Sequence, residues 1–259
     1  MSFGQGLYFC LGAYTVGLIG TWLKLHDALL LTLLGGALAG ALALVLGFLL
    51  ARYRDIFFAM LSLAFSMILY GLLAKVTALG STDGFNVEGI TYFGQALSGA
   101  EASRAQFSLT CYVAIAAVVL LKLYLDTPLG RLAHPIRDNE IRVEYLGASV
   151  RAAIHVKYVI AAALAGLGGA LTAVVVGHVD PEFTYWTTSG EFVFVSVLAG
   201  SGNVVAPFVG SFVFEVIRSF AYEHSPNTWQ LTLGLAMLAI IAFLPGGLWS
   251  LFTGRRSHD

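Results

Sequence analysis

The chain has 259 residues and a formal net charge of −1 at pH 7; 58% of its residues are hydrophobic and only 11% are charged. Soluble domains carry roughly 25% charged residues, so this composition, with a mean hydropathy of +0.82, excludes an ordinary soluble domain. No excess of basic residues supports a nucleic-acid partner. We expect an all-α, polytopic integral membrane protein.

The first predicted membrane span, residues 3–23, is unusually rich in glycine. Its glycines include Gly4, Gly6 and Gly12, and such a helix either lets another backbone approach closely or lines a narrow path. No basic segment typical of a cleavable signal peptide precedes it. We therefore expect the first membrane segments to act as the targeting signal.

The second span, residues 28–50, is about 35 Å long as a helix, which is enough to cross a bilayer core. Its Gly36 and Gly40 form a small-xxx-small pair that favours helix packing. A short basic loop at 51–55 follows and is placed in the cytoplasm, because loops rich in lysine and arginine are retained there. The third span is predicted at 56–73.

Two long polar stretches flank the fourth span, which is predicted at 107–125. Residues 75–105 are too long and too glycine-rich for a tight turn, so we expect an external loop in which Asp83 is a turn former. Residues 127–157 contain five of the 14 lysine and arginine residues. We place this segment, called the cytoplasmic island below, inside the cell.

The remaining chain alternates between apolar and irregular segments. A fifth span at 158–177 is followed by an external loop at 178–190. Residues 192–220 are apolar but broken at 200–207, where glycine and proline cannot hold a regular helix. A last span is predicted at 231–249, which makes about six full transmembrane helices.

The basic loops give an internal test of this arrangement. Because the C-terminal tail carries Arg255 and Arg256, it should end inside, and residues 192–220 must then form two short helices or a re-entrant hairpin. Irregular backbone survives at membrane depth only where protein or a water-filled path covers it, so the count indicates a transport path. The candidates for lining this path are Gly4, Gly6, Gly12, Gly200, Gly202 and Asn203.

Other polar residues are explained by structural roles. Glu215 and Arg218 lie three apart in an apolar segment, and we interpret them as a mutually paired structural couple. Cys10 and Cys111 fall in apolar runs and are expected to be packing residues. The histidines are scattered without metal-ligand spacing, so no metal is expected.

Within the cytoplasmic island we expect a helix-turn-helix. Asp138 caps or opens a short helix on which Ile141 and Tyr145 share one face. Gly147 would end this helix, and Ser149 would cap a second one that continues into the fifth span. On the residues alone, a solvated loop and a docking element for a cytoplasmic motor are both open.

Several stretches resemble the branched-chain amino acid permease family of ABC importers. Residues 137–147 look like its coupling loop, and residues 2–14 look like the glycine-rich motif of its early helix. Residues 82–84 resemble its external loop signature, and residues 197–210 resemble its glycine-rich break. The resemblance covers nearly the whole chain and is nearest to the second of the two paralogous permease subunits. Members usually carry one or more hydrophobic segments before the glycine-rich motif.

This resemblance implies a multi-subunit importer in the bacterial inner membrane. A binding protein outside the membrane would deliver the substrate, this chain and a paralogous permease would form the path among membrane lipids, and two ATPase subunits would hydrolyse ATP. The chain, read as one permease domain over 1–259, has no Gly-x-x-x-x-Gly-Lys-Ser/Thr loop, so we expect no enzyme activity and no cofactor. The residues expected to couple it to the ATPase are Arg137, Asp138, Glu140, Ile141, Glu144 and Gly147.

Branched-chain amino acids are the substrates that the resemblance implies, and urea or short amides are the alternative. A secondary transporter or channel would also use broken helices. A proton- or sodium-coupled carrier should, however, place acidic residues inside several spans, and here the acidic residues other than Glu215 lie in loops or at span edges. An intramembrane enzyme would need clustered polar catalytic residues, which we do not find.

Overall fold

The chain folds almost entirely into helices. The computed structural model describes residues 2–23, 25–87, 89–200, 203–224, 228–244 and 246–252, and it divides into two compact units, Met1–Ser189 and Gly190–Asp259. The elements in chain order are α1 (Gln5–Trp22), α2 (Ala28–Leu50), α3 (Asp55–Lys75), β1 (Phe85–Asn86), α4 (Ala100–Asp126), α5 (Pro128–Arg131), α6 (Ala133–Asp138), α7 (Glu140–Tyr145), α8 (Val150–Val176), β2 (His178–Val179), α9 (Trp186–Ala199), α10 (Ala206–His224), α11 (Trp229–Phe243) and α12 (Trp249–Phe252).

Four helices of the described chain are long and apolar enough to cross a membrane: α2, most of α3, α4 and α8. This confirms a polytopic, all-α membrane protein. The first and last predicted spans are shorter than expected, because α1 has 18 residues and α11 has 15. As helices these measure about 27 and 22 Å. Helix α11 ends at Phe243, shortly before Pro245, a residue that has no amide hydrogen to continue the ladder.

The centre of the first unit is a bundle of α1, α2 and α8 held together by small residues. Gly36 faces Leu167 at 2.6 Å from an ideal Cβ, and Gly40 faces Ala163 at 3.4 Å, which confirms the packing interpretation of this pair. In the most apolar windows of α2 and α8, 39% and 33% of residues are buried, whereas α3 and α4 bury 17% and 11%. The outer helices α3 and α4 therefore leave most of their apolar surface uncovered.

A folded loop covers the end of the bundle opposite the cytoplasmic island. Strand β1 pairs antiparallel with β2, and Phe85 packs edge-on against Tyr14 at 5.5 Å. Tyr92 is buried here, and burial raises the pKa of its phenol. Because α4 begins at Ala100, the predicted external loop at 75–105 is shorter than expected.

The second unit contains the predicted break in the helical chain. Helix α9 ends at Ala199 and α10 begins at Ala206, which confirms a break in the helix, and the described residues of the connection, 200 and 203–205, are not helical. Gly200 has a φ of +84° and lies against the backbone of Gly246 and Gly247. An apolar cluster unites the helices of this unit and consists of Leu198, Phe214, Leu233 and Met237.

Candidate functional site

The cytoplasmic island folds as three short helices followed by the start of α8. The Asn139 side chain accepts a hydrogen bond from the Arg142 amide at 3.0 Å and caps α7. The Ser149 side chain accepts from the Ala152 amide at 3.3 Å and caps α8, as predicted. Gly147 has a φ of +86° just after α7, which confirms its role in ending that helix. The expectation for Asp138 is wrong, because Asp138 is the last residue of α6 and its neighbour is the cap.

One face of the island is anchored to the membrane domain by a small apolar cluster. Val143 of α7 is 3% exposed and lies with Ile136 of α6 against the first turn of α8. The α8 contribution is Val150 and Ala153, both fully buried. This cluster holds the short helices in a defined orientation, which helices of six residues could not keep alone.

The opposite face of α7 exposes large apolar side chains. Ile141 is 65% exposed, Tyr145 is 88% exposed and Leu146, just after the helix, is 81% exposed. Ile141 and Tyr145 share one face at a spacing of four residues, as predicted. Contiguous exposed apolar residues on a water-facing loop are typical of a protein-binding surface. We call these three residues the α7 face.

An ion pair fixes α7 to the loop between α2 and α3. The Arg54 guanidinium donates from Nε to the Glu140 carboxylate at 2.8 Å, and from Nη1 to the backbone carbonyl of Ala51 at 2.7 Å. The two side chains are 32% and 38% exposed. Sequence reasoning singled out Glu140 but missed Arg54 as its partner, because 86 residues separate them.

We expect Glu140→Arg to loosen α7, because it places two guanidinium groups together where an ion pair stood. A partly exposed ion pair contributes about 0.2–1 kcal/mol, so the amides of α7 should exchange with solvent up to about fivefold faster. The charge-swapped double variant Arg54→Glu/Glu140→Arg should restore the original exchange rate. Hydrogen-exchange mass spectrometry measures both; a double variant no slower than Glu140→Arg would contradict the pairing.

The other predicted coupling residues lie on the island surface. Arg137, Asp138, Glu144 and Gly147 are exposed. Among the side chains that the structure describes, none of the three charged ones has an ion-pair partner. Their coupling role stays a prediction.

A second candidate site is the segment between α8 and α9, residues 178–185, together with Ser189 in the first turn of α9. The loop expected at 178–190 is shorter, because α9 begins at Trp186, and its external position stays a prediction. The segment contains a 3-10 turn at Pro181–Thr184 whose end residues are both fully buried, and it packs against α1 and α3. Helices α1 and α3 thus cover this irregular backbone. We call residues 178–185 the α8–α9 segment.

Hydroxyl groups form hydrogen bonds with polar backbone groups at and next to the α8–α9 segment. The Ser66 hydroxyl of α3 donates to the Thr184 carbonyl at 2.7 Å. The Ser189 hydroxyl accepts from the Gly6 amide at 3.0 Å, at the start of α1. Ser62 of α3 is also buried, next to Gly4. The result is a buried, hydrogen-bonded polar seam inside an apolar bundle.

The predicted path-lining residues fall in three different settings. Gly4, Gly6 and Gly12 are buried where α1 meets the backbone or side chains of other elements. Gly200 lies at the break in the second unit, and Gly202 is outside the described residues. Exposed Asn203 accepts from the Val205 amide at 3.2 Å through its side chain. Among the described glycines of this set, only Gly6 donates a hydrogen bond to a hydroxyl of the polar seam. Path lining stays a prediction for all six residues.

The charged groups of the second unit form a trio. Arg218 lies 3.8 Å from Glu215, which confirms the predicted couple, and 3.7 Å from Glu191, which sequence reasoning missed. Its guanidinium also lies over the Trp229 ring at 5.8 Å. In the part of the chain that the structure describes, no three His, Cys, Asp or Glu side chains come together as a metal site requires.

Comparison with known proteins identifies relatives along the whole chain. The profile of a family described as the branched-chain amino acid transport system/permease component matches residues 1–254. The chain is 28% identical over 95% of its length to the high-affinity branched-chain amino acid transport system permease protein LivM of Escherichia coli K12, and 27% identical to LivM of Salmonella typhimurium. It is 23% identical over 74% of its length to the D-allose transport system permease protein AlsC of E. coli. The chain spans 62% of the length of each LivM protein and 59% of AlsC. No solved structure matches it.

Proposed function

The chain belongs to the family of branched-chain amino acid transport permeases, and from that membership we propose that it is a membrane subunit of an ABC importer for branched-chain amino acids. The first unit would supply part of the substrate path. The cytoplasmic island would receive the force of ATP hydrolysis from a separate ATPase. The chain would itself hydrolyse nothing and hold no cofactor.

The α7 face is the observation that carries this proposal. Its exposed apolar side chains lie on a helix whose other face is anchored to α8 by Val143 and to the α2–α3 loop by Glu140. A motor that moves α7 would therefore also move the cytoplasmic ends of α2, α3 and α8. A merely solvated loop has no need of apolar residues on its outer side or of a fixed inner side.

The remaining partners follow from the family membership. Two ATPase subunits would act on this chain and a paralogous permease, and an extracytoplasmic binding protein would deliver the substrate to the outer loop that β1 closes. The names of the two LivM relatives support branched-chain amino acids as the substrate. Urea and short amides are the substrates that the test below separates from them.

Uptake by the reconstituted complex tests the function. The protein that carries this chain is placed in liposomes with its paralogous permease, ATPase and binding protein, and labelled leucine or urea is supplied outside. We expect leucine to accumulate only when ATP is present on the ATPase side, and urea uptake to stay at the level of liposomes without protein. Leucine uptake driven by an ion gradient without ATP would indicate a secondary transporter. ATP-driven uptake of urea alone would overturn the substrate class.

A further inference from the structure

We propose that a cavity between the cytoplasmic ends of α2 and α8 binds one anionic phospholipid, with the headgroup phosphate at two arginines and an acyl chain along α2. The cavity has a volume of about 250 Å³. It is lined by Phe48, Ala51, Ser149, Arg151, Ala152 and His155. None of these residues belongs to the α7 face or to the polar seam.

The rim of this cavity is basic. Arg151 lines it directly, and the Arg52 guanidinium lies over the ring of Phe48 at 5.4 Å. Neither arginine has an ion-pair partner among the carboxylates whose side chains the structure describes, whereas neighbouring Arg54 is occupied by Glu140. An unpaired guanidinium in the lining, with a second one on the lining residue Phe48, favours an anion with several oxygen acceptors, such as a phosphodiester.

The cavity lies at the level where phospholipid headgroups meet the apolar core. Helix α2 ends at Leu50, and α8 begins at Val150 within the polar cytoplasmic island, so this is the boundary between the apolar core and water. Basic pockets between transmembrane helices on the cytoplasmic side are recognised sites for anionic lipid headgroups. The charge of the cavity and its position therefore both suit an anionic headgroup.

The wall of the cavity selects an amphiphile over a free anion. The exposed surface of its lining is mostly apolar, although Ser149, Arg151 and His155 contribute polar groups, so inorganic phosphate would leave most of the space without a matching partner. Above it, Leu44 and Phe48 lie four residues apart on one face of α2 and are 54% and 63% exposed. An acyl chain laid along this strip would cover apolar surface while its phosphate met the arginines.

Native mass spectrometry of the detergent-purified protein tests the site with phosphatidylglycerol and phosphatidylcholine as probes. We expect a retained phosphatidylglycerol, and we expect Arg52→Gln and Arg151→Gln each to lower its binding about fivefold and together about 25-fold. Phosphatidylcholine binding should not change. Ala152→Leu should fill the cavity and lower the binding of both lipids. Arg131→Gln removes an exposed charge of the same island that does not line the cavity, and it should bind as the unaltered protein does.

Each outcome decides the proposal. Equal binding of the two lipids, or unchanged phosphatidylglycerol binding in the double arginine variant, would overturn it. Displacement of the lipid by inorganic phosphate, at constant ionic strength, would show a free-anion site instead. If Ala152→Leu fails to elute as folded protein, the surface arginine variants carry the test. Because the readout needs neither ATPase nor substrate, failure here is separate from failure of the proposed function.

Discussion

Gly12→Ala is expected to destabilise the first unit severely. An ideal Cβ at Gly12 would lie 2.7 Å from the carbonyl carbon and 2.8 Å from the Cα of Gly166. Both are backbone atoms of α8, so no side chain can rotate away, and α1 would have to separate from α8. Overpacking of this kind costs about 1–3 kcal/mol, and here we expect the upper end of that range. Thermal unfolding in detergent, followed by size-exclusion elution, measures the loss.

Gly71→Ala is the matched control for this change. Gly71 also lies within a helix, α3, but nothing comes within 4 Å of its ideal Cβ. The same added methyl group should therefore leave stability unchanged or raise it by up to about 1 kcal/mol, because alanine favours helix more than glycine does. If the two variants unfolded at the same temperature, the close α1–α8 contact would not account for the stability of the bundle.

Ile141→Ser/Leu146→Ser is expected to weaken binding to the ATPase roughly 100-fold while the membrane domain stays folded. Both side chains are more than 60% exposed, at 65% and 81%, so their loss removes little internal packing. Burying two such side chains in a partner contributes about 3 kcal/mol, which corresponds to roughly 100-fold in the dissociation constant. Co-purification with the ATPase, and ATP-driven uptake in liposomes, measure the two consequences.

A double change on α4 controls for the chemistry of the substitution. Ile115 and Leu120 are 61% and 65% exposed, close to the values on the α7 face, but they lie in a membrane span. Ile115→Ser/Leu120→Ser should leave ATPase binding within about twofold, since surface changes away from a contact have small effects. An unchanged affinity in the α7 variant, with uptake retained, would disprove docking through this face.

Local chemistry made several features of the cytoplasmic island predictable. Ser149 and Gly147 act within one turn of their own helix ends, so their roles follow from nearby residues alone. Asp138 and Asn139 are both good cap formers, and neighbouring sequence cannot choose between them. The choice is made by burial, because Ile136 and Val143 both turn towards α8 and the chain must bend between them.

Distant contacts account for what could not be predicted. The Arg54–Glu140 pair joins two loops that are close only after α2, α3 and α8 have packed. The α8–α9 segment has the proline and polar residues of a surface loop, and nothing in its sequence indicates burial. Its burial within the protein depends on the small residues of α1, which give it room, and on the serines of α3, such as Ser66, which give it hydrogen-bond partners.

The buried part of the α8–α9 segment affects how the membrane topology of this protein can be mapped. Its residues Pro181 and Thr184 are shielded on all sides although no regular helix passes through them. A cysteine introduced there would resist aqueous labelling, and a labelling map would count one membrane crossing too many. The side assigned to every later segment would then be inverted. Labelling should therefore be read against the contacts of this segment rather than by counting protected stretches from the N-terminus.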